Sequence, residues 1–148
     1  MPPSSNPVLT MLKADHKKVN ALFAEYKDAA PRNQLDIAQT AIQELEIHAG
    51  LEEGLIYPAI RGGINDDELM NEANEEHYLI HVFIAELKEL EPSNDAFAAI
   101  FTVLGELVKR HVKEEEGKMF PQAQKAKIDW EELKVEIMKR KELFMAQA

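Results

Sequence analysis

The sequence predicts an all-α protein, an up-down-up-down four-helix bundle with an additional C-terminal helix. Long segments repeat apolar residues at helical spacing, and proline or glycine separates them at Pro7, Pro31, Pro58 to Gly63, Pro92 and Pro121. No segment alternates apolar and polar residues as a half-buried strand does. The 148 residues suit one domain, and 45% hydrophobic residues suffice for its core.

Residues 1–7 read as a flexible Pro/Ser-rich tail, 8–123 as the bundle, and 124–148 as a C-terminal helix packed on the bundle or used in association. The first helix opens at Asn6-Pro7, a cap followed by proline at the first helical position, and carries Leu12, Val19, Phe23 and Tyr26 on one stripe. The second begins near Asn33 and shows Ala38, Ile42, Leu45 and Leu55 before Pro58. The third starts at Asn65 with Glu68 three residues later, as in a capping box, and shows Met70, Ala73, Ile84 and Leu87. The fourth starts around Ser93 to Asp95 and carries Phe97, Phe101, Leu104 and Val108. The last, from Asp129 to about Phe144, places Trp130, Leu133, Ile137 and Phe144 at helical spacing.

Composition excludes several function classes. A net charge of -10 disfavours an electrostatic grip on nucleic acid or anionic lipid. Zero cysteines exclude disulfides, zinc-thiolate sites, Cys-ligated clusters and a Cys nucleophile. Any metal would need His and carboxylate ligands. The apolar stretch Val8 to Leu12 is too short for a signal sequence and no run could span a bilayer, so a cytoplasmic protein is expected.

Histidines and acids interrupt the apolar stripes: His16 in the first helix, His48 and Glu52 in the second, His77 and His81 in the third, His111 and Glu115 in the fourth. These are all five histidines of the chain. Residues four apart project from one helix face, which pairs His48 with Glu52, His77 with His81 and His111 with Glu115. The strings from His48 to Pro58 and from His111 to Pro121 share His-x3-Glu-Glu-Gly-x-x-aromatic-Pro, an internal repeat that makes the second and fourth helices equivalent. At about 1.5 Å of rise per residue, His16 and His48 lie about 20 and 22 Å from the connection between their helices, so the groups can meet at one level.

Burying these groups together without a counter-ion would cost several kcal/mol per uncompensated charge, and a metal supplies the missing positive charge. Five imidazoles and two carboxylates exceed what one tetrahedral zinc needs. Two metals sharing bridging carboxylates fit better, and such donors suit iron. The Glu-x-x-His pattern of ferritin-like proteins is missing, since no histidine here has Glu three residues before it.

The order His16, His48-x3-Glu52, His77-x3-His81, His111-x3-Glu115 resembles the hemerythrin-like (HHE cation-binding) domains over roughly Val8 to Ala123. The resemblance implies two non-heme iron ions with an oxo or hydroxo bridge: His77, His81 and His111 on the first iron, His16 and His48 on the second, Glu52 and Glu115 bridging. It implies an open position on the second iron where dioxygen, peroxide or nitric oxide could bind. Oxygen-carrying members have His-x4-Asp in the last helix; His111-x3-Glu115 departs from that, as in many bacterial hemerythrin-like domains, and weakens the inference of reversible oxygen carriage.

Around these residues, Glu114 is a rival to Glu115 on angular grounds, with the repeat favouring Glu115. Glu53 and Glu116 are expected to face solvent or a neighbouring helix, Asp15 and Glu76 to be exposed or to orient ligands, and Tyr57 and Phe120 to cover the end of the bundle. The expected function is binding or reduction of a small oxidant, peroxide- or nitric-oxide-consuming activity being the enzymatic form of that expectation. The alternative is a non-catalytic module that responds to iron or oxygen. The expected partner is a small diatomic or peroxide ligand, with neither nucleic acid nor membrane.

Overall fold

The computed structural model describes residues 6–147, so the predicted tail lies outside the described residues except for Asn6 and Pro7. Helix α1 (Pro7–Asp28) begins where expected: the Asn6 side chain accepts from the amides of Val8 and Leu9, and Pro7 fills the first position, where no amide partner exists. Helix α2 (Pro31–Leu51) begins two residues before Asn33, because Pro31 takes the same role without a side-chain cap. Helix α4 (Asp67–Glu89) is capped by Asp66, whose Oδ1 accepts from Leu69 N at 3.2 Å. The expected cap at Asn65 is thereby moved one residue on. Helix α5 (Asp95–Glu114) takes Asn94 as its cap, within the expected range.

The breaks expected at Pro58 and Pro121 do not occur. Glu52–Ile56 and Glu115–Met119 are π turns, and they lead directly into α3 (Tyr57–Gly63) and α6 (Phe120–Lys125). A π turn carries one residue more than an α turn. Each proline then sits at the start of the following α-helix, where its missing N–H is tolerated. In an uninterrupted α-helix Tyr57 would lie about 140° round from Glu52. The wider turn brings both inward, and Glu52 and Tyr57 are buried, as are Glu115 and Phe120.

Four rods result: α1, α2 with α3, α4, and α5 with α6. Helix α7 (Trp130–Gln147) packs across α1, α2 and the first π turn and buries Leu133 and Ile137. Gly50 lets the Phe144 ring approach; a Cβ there would lie 3.0 Å from it. The interior divides into two apolar clusters, one around Leu12, Ile60, Met70 and Ile137, the other around Phe23, Leu45, Phe101 and Leu104. A buried polar layer lies between them along each rod: His16 between Leu12 and Val19, His48 between Leu45 and Leu51, His77 between Ala73 and Ile80, and His111 after Val108. Among the described residues no helix is long and apolar enough to cross a membrane.

Candidate metal centre

The polar layer is made by His16, His48, Glu52, His77, His111 and Glu115, all buried. They form two groups, His16-His48-Glu52-Glu115 and Glu52-His77-His111-Glu115, and within each the ligand atoms lie within 4.8 Å of one another. Both glutamates belong to both groups. Glu52 Oε1 lies 3.3 Å from His48 Nε2 and 3.1 Å from His77 Nε2. Glu115 spans the two sides with its two oxygens, Oε1 at 3.2 Å from His16 Nε2 and Oε2 at 3.0 Å from His111 Nε2.

Four carboxylates aim the imidazoles. Asp15 accepts from His48 Nδ1 at 3.2 Å, Glu53 from His77 Nδ1 at 2.7 Å, Glu76 from His111 Nδ1 at 2.8 Å, and Glu116 from His16 Nδ1 at 2.6 Å. Each acid reaches to the next rod, so the four contacts close a ring around the bundle. Holding the proton on Nδ1 leaves Nε2 as the metal-facing atom in the neutral ring. The expectation that Asp15 and Glu76 orient ligands agrees with these contacts. Glu53 and Glu116 turn to a neighbouring helix, the second of the two orientations expected for them, and there they do the same work. Their signal in the sequence was the duplicated Glu-Glu of the repeat.

His81 does not join the layer. Its side chain is 44% exposed, and Nε2 lies 2.7 Å from Glu53 Oε2, on the outside of the carboxylate that holds His77. One turn beyond His77, it is carried away from the axis, and the inner position is taken by Tyr57. The Tyr57 hydroxyl lies 3.1 Å from His77 Nε2 and 3.1 Å from His111 Nε2 and donates to Glu115 Oε2. Tyr57 therefore belongs to the centre, not to the end of the bundle; the π turn that places it leaves no trace in α-helical periodicity. Its counterpart Phe120 stacks on His16 with ring centroids 6.0 Å apart and offers no donor. Glu114 stays outside both groups.

The charges account for the protonation of the centre. Burial opposes charging His48, yet the charge of Glu52 and the bond to Asp15 carry it from 6.5 up to about 10. Burial likewise opposes His111, and its bonds to Glu115 and Glu76 take it up to about 10. His16 and His77 are raised against burial by Glu115 and by Glu52 with Glu53. Burial works to raise Glu52, but the charge of His48 holds it well below 4.5. Burial, then the charges of Glu52 and Glu115, push the Tyr57 phenol well above 10.

This charge pairing is incomplete. Neither oxygen of Glu52 nor Oε1 of Glu115 has a hydrogen-bond donor aimed at it, although imidazole nitrogens stand at ion-pair distance. Buried carboxylate oxygens without donors are costly and rare. A cation among the Nε2 atoms would meet these oxygens directly, so the residues present fit a metal.

A helical bundle whose buried layer consists of two His/Glu groups sharing their carboxylates defines a class, that of helical cation-binding proteins. Residues 8–123 match the hemerythrin HHE cation binding domain, and the chain belongs to that family. It is 30% identical over 114 residues to a DNA nickase of Nostoc sp., an alignment covering 74% of this chain and 31% of that protein. The chain thus spans about a third of the length of this relative. The crystal structure of an HHE cation binding domain-containing protein from Mycobacterium kansasii, a homolog of Rv2633c, superposes with a TM-score of 0.76 over 92% of this chain and 85% of that one, at 24% identity. That likeness shows the fold, a helical bundle.

Proposed function

We propose that the centre holds two iron ions and that the protein binds or reduces a small oxidant there. The observation that carries this reading is the sharing of Glu52 and Glu115 between two buried histidine pairs, with three carboxylate oxygens lacking donors. Imidazole, carboxylate and phenol oxygen together suit iron. His77, His111 and Tyr57 would hold one ion and His16 and His48 the other, with Glu52 and Glu115 between them. Iron so held supplies electrons to an oxidant.

The protein's own residues make the two positions unequal. Tyr57 gives one side an extra oxygen donor, whereas Phe120 gives the other an apolar ring. An ion held by His16 and His48 would therefore have one protein donor fewer. A cavity of about 20 Å³ adjoins the layer, walled by Val19, Leu45, Ile80 and Val108 and touched by all four buried histidines. That volume suits one water-sized molecule, since about 10–15 Å³ is the least a water needs. Dioxygen, peroxide and nitric oxide are molecules of this size class. The DNA-directed activity named for the Nostoc relative is not carried over, because a chain of net charge -10 is poorly suited to hold a phosphate backbone.

The test is to load the chain anaerobically with ferrous iron and mix it rapidly with dioxygen, hydrogen peroxide or nitric oxide while following the visible spectrum. The expected result is a fast spectral change with at least one of the three, and loss of the phenolate charge-transfer component in Tyr57→Phe. Indifference of the iron-loaded protein to all three would overturn the reading.

A further inference from the structure

The internal repeat extends beyond the ligands to two grooves on the outside of the bundle. An offset of 61 residues takes His16 to His77 and Asp15 to Glu76. The same offset takes Pro7, Val8, Met11 and Ala14 of α1 to Glu68, Leu69, Glu72 and Glu75 of α4. The α1 set lines an apolar groove whose other wall is α7, through Lys134, Ile137 and Met138. Its α4 counterpart is acidic. That groove, of about 780 Å³, is lined from α4 and α5 alone, by Glu68, Glu72, Glu75, Glu76 and Glu114 against the single guanidinium of Arg110.

A second observation connects this groove to the centre. A crevice of about 10 Å³ shares Glu72, Glu76 and Glu114 with the groove and ends on His111 and Glu115. Glu115 is 2% exposed; its Oε2 lies 3.0 Å from His111 Nε2, and its Oε1, which has no donor, faces His16 beyond. Glu76, common to both spaces, holds His111 Nδ1. The carboxylates therefore run as a series from solvent to a buried ligand, and the equivalent face of the other half is apolar and walled by α7.

We propose that this α4–α5 groove is the route by which divalent cations reach the centre. The inference rests on the metal-binding reading above. A cleft lined by one sign of charge concentrates counter-ions and raises association rates by about 10- to 1000-fold. The crevice is at the lower limit of the roughly 10–15 Å³ that a water requires, so a cation passes by exchanging water for the oxygens of Glu72, Glu114 and Glu76 as the two outer side chains move. Glu68 and Glu75 act earlier, by charge alone.

Cobalt(II) uptake by the full metal-free chain, followed by its visible ligand-field bands at low and high salt, tests the route. Glu68→Gln/Glu72→Gln/Glu75→Gln removes three exposed charges from the groove and no group that touches the centre. Glu86→Gln/Glu89→Gln/Glu91→Gln removes the same charge at the far end of α4 and just beyond it. We expect the groove variant to load about tenfold more slowly at low salt, with the difference closing at high salt and with unchanged final cobalt content and bands. The far-end variant should stay within about twofold of wild type. Wild-type uptake should itself slow as salt rises, a measurement independent of any variant's folding. Equal rates in the groove variant, equal slowing in the far-end variant, or a salt-insensitive wild-type rate would overturn the route while leaving the metal centre standing. A wild-type chain that takes up no cobalt would overturn the metal reading, and the route with it.

Discussion

His81 and Tyr57 exchange roles between sequence and structure, and the exchange is testable. The sequence places His81 at i+4 from His77 and hence on the same face, but a face some 40° wide does not decide whether a side chain reaches the axis. His81 meets Glu53 outside, and Tyr57 supplies the inner donor. Accordingly His81→Ala is expected to keep the full metal content by elemental analysis, whereas His16→Ala or His111→Ala loses at least one ion. Glu76→Gln and Asp15→Asn, which loosen the aim of His111 and His48, should weaken metal affinity about 10- to 100-fold in competition with a chelator. The raised histidines and lowered glutamate also set a pH window for the metal-free chain. His48 and His111 rise from 6.5 to about 10 on folding, so their contribution is complete below pH 6.5 and lost as pH climbs through 10. Glu52 is lowered from 4.5, so its contribution is present above 4.5 and lost as pH falls toward the folded value. The melting temperature of the metal-free chain should therefore be highest between about pH 4.5 and 6.5. Metal loading at neutral pH should release protons, because the metal displaces them from the imidazoles.

At the scale of elements, the helices were legible because their apolar stripes and caps are local. The stripes read from sequence are largely buried: Val19, Phe23 and Tyr26 in α1, Met70, Ile84 and Leu87 in α4, Phe97, Phe101, Leu104 and Val108 in α5. The cap of α4 falls at Asp66 and not at the expected Asn65; both are good caps, and only the backbone geometry chooses between them. Asp66→Ala should cost about 1 kcal/mol in denaturant unfolding and Asn65→Ala distinctly less. The π turns were not legible. Proline reads as a helix end, yet at Pro58 and Pro121 the extra residue of the π turn carries the rod onward. Each π turn starts at a buried glutamate, Glu52 or Glu115, so the irregularity lies at the buried polar layer. Burial of Ile137 fixes α7 over the first of them, and Ile137→Ala should cost about 2–5 kcal/mol, with the exposed Met138→Ala near neutral.

Over the whole molecule, the internal repeat organises both the buried centre and the surface around it. Offsets of 61 and 63 residues equate His16 with His77 and His48 with His111, and the ring of Asp15, Glu53, Glu76 and Glu116 follows the same pairing. Function enters where the halves differ, at Tyr57 against Phe120 and at the acidic α4–α5 groove against the apolar groove walled by α7. Six of the seven residues expected as ligands meet in the buried layer, because helical spacing and a repeated string are enough to bring them to one level. The remaining donor depended on a turn geometry that no periodicity encodes. The central claim is that two ions share Glu52 and Glu115 in one bundle. It is tested most directly by iron content per chain after anaerobic loading, with optical spectra before and after air. About two irons per chain, with new near-ultraviolet and visible charge-transfer bands after air, is the predicted result. One iron or none per chain, with the helical fold intact and indifferent to iron, would contradict it.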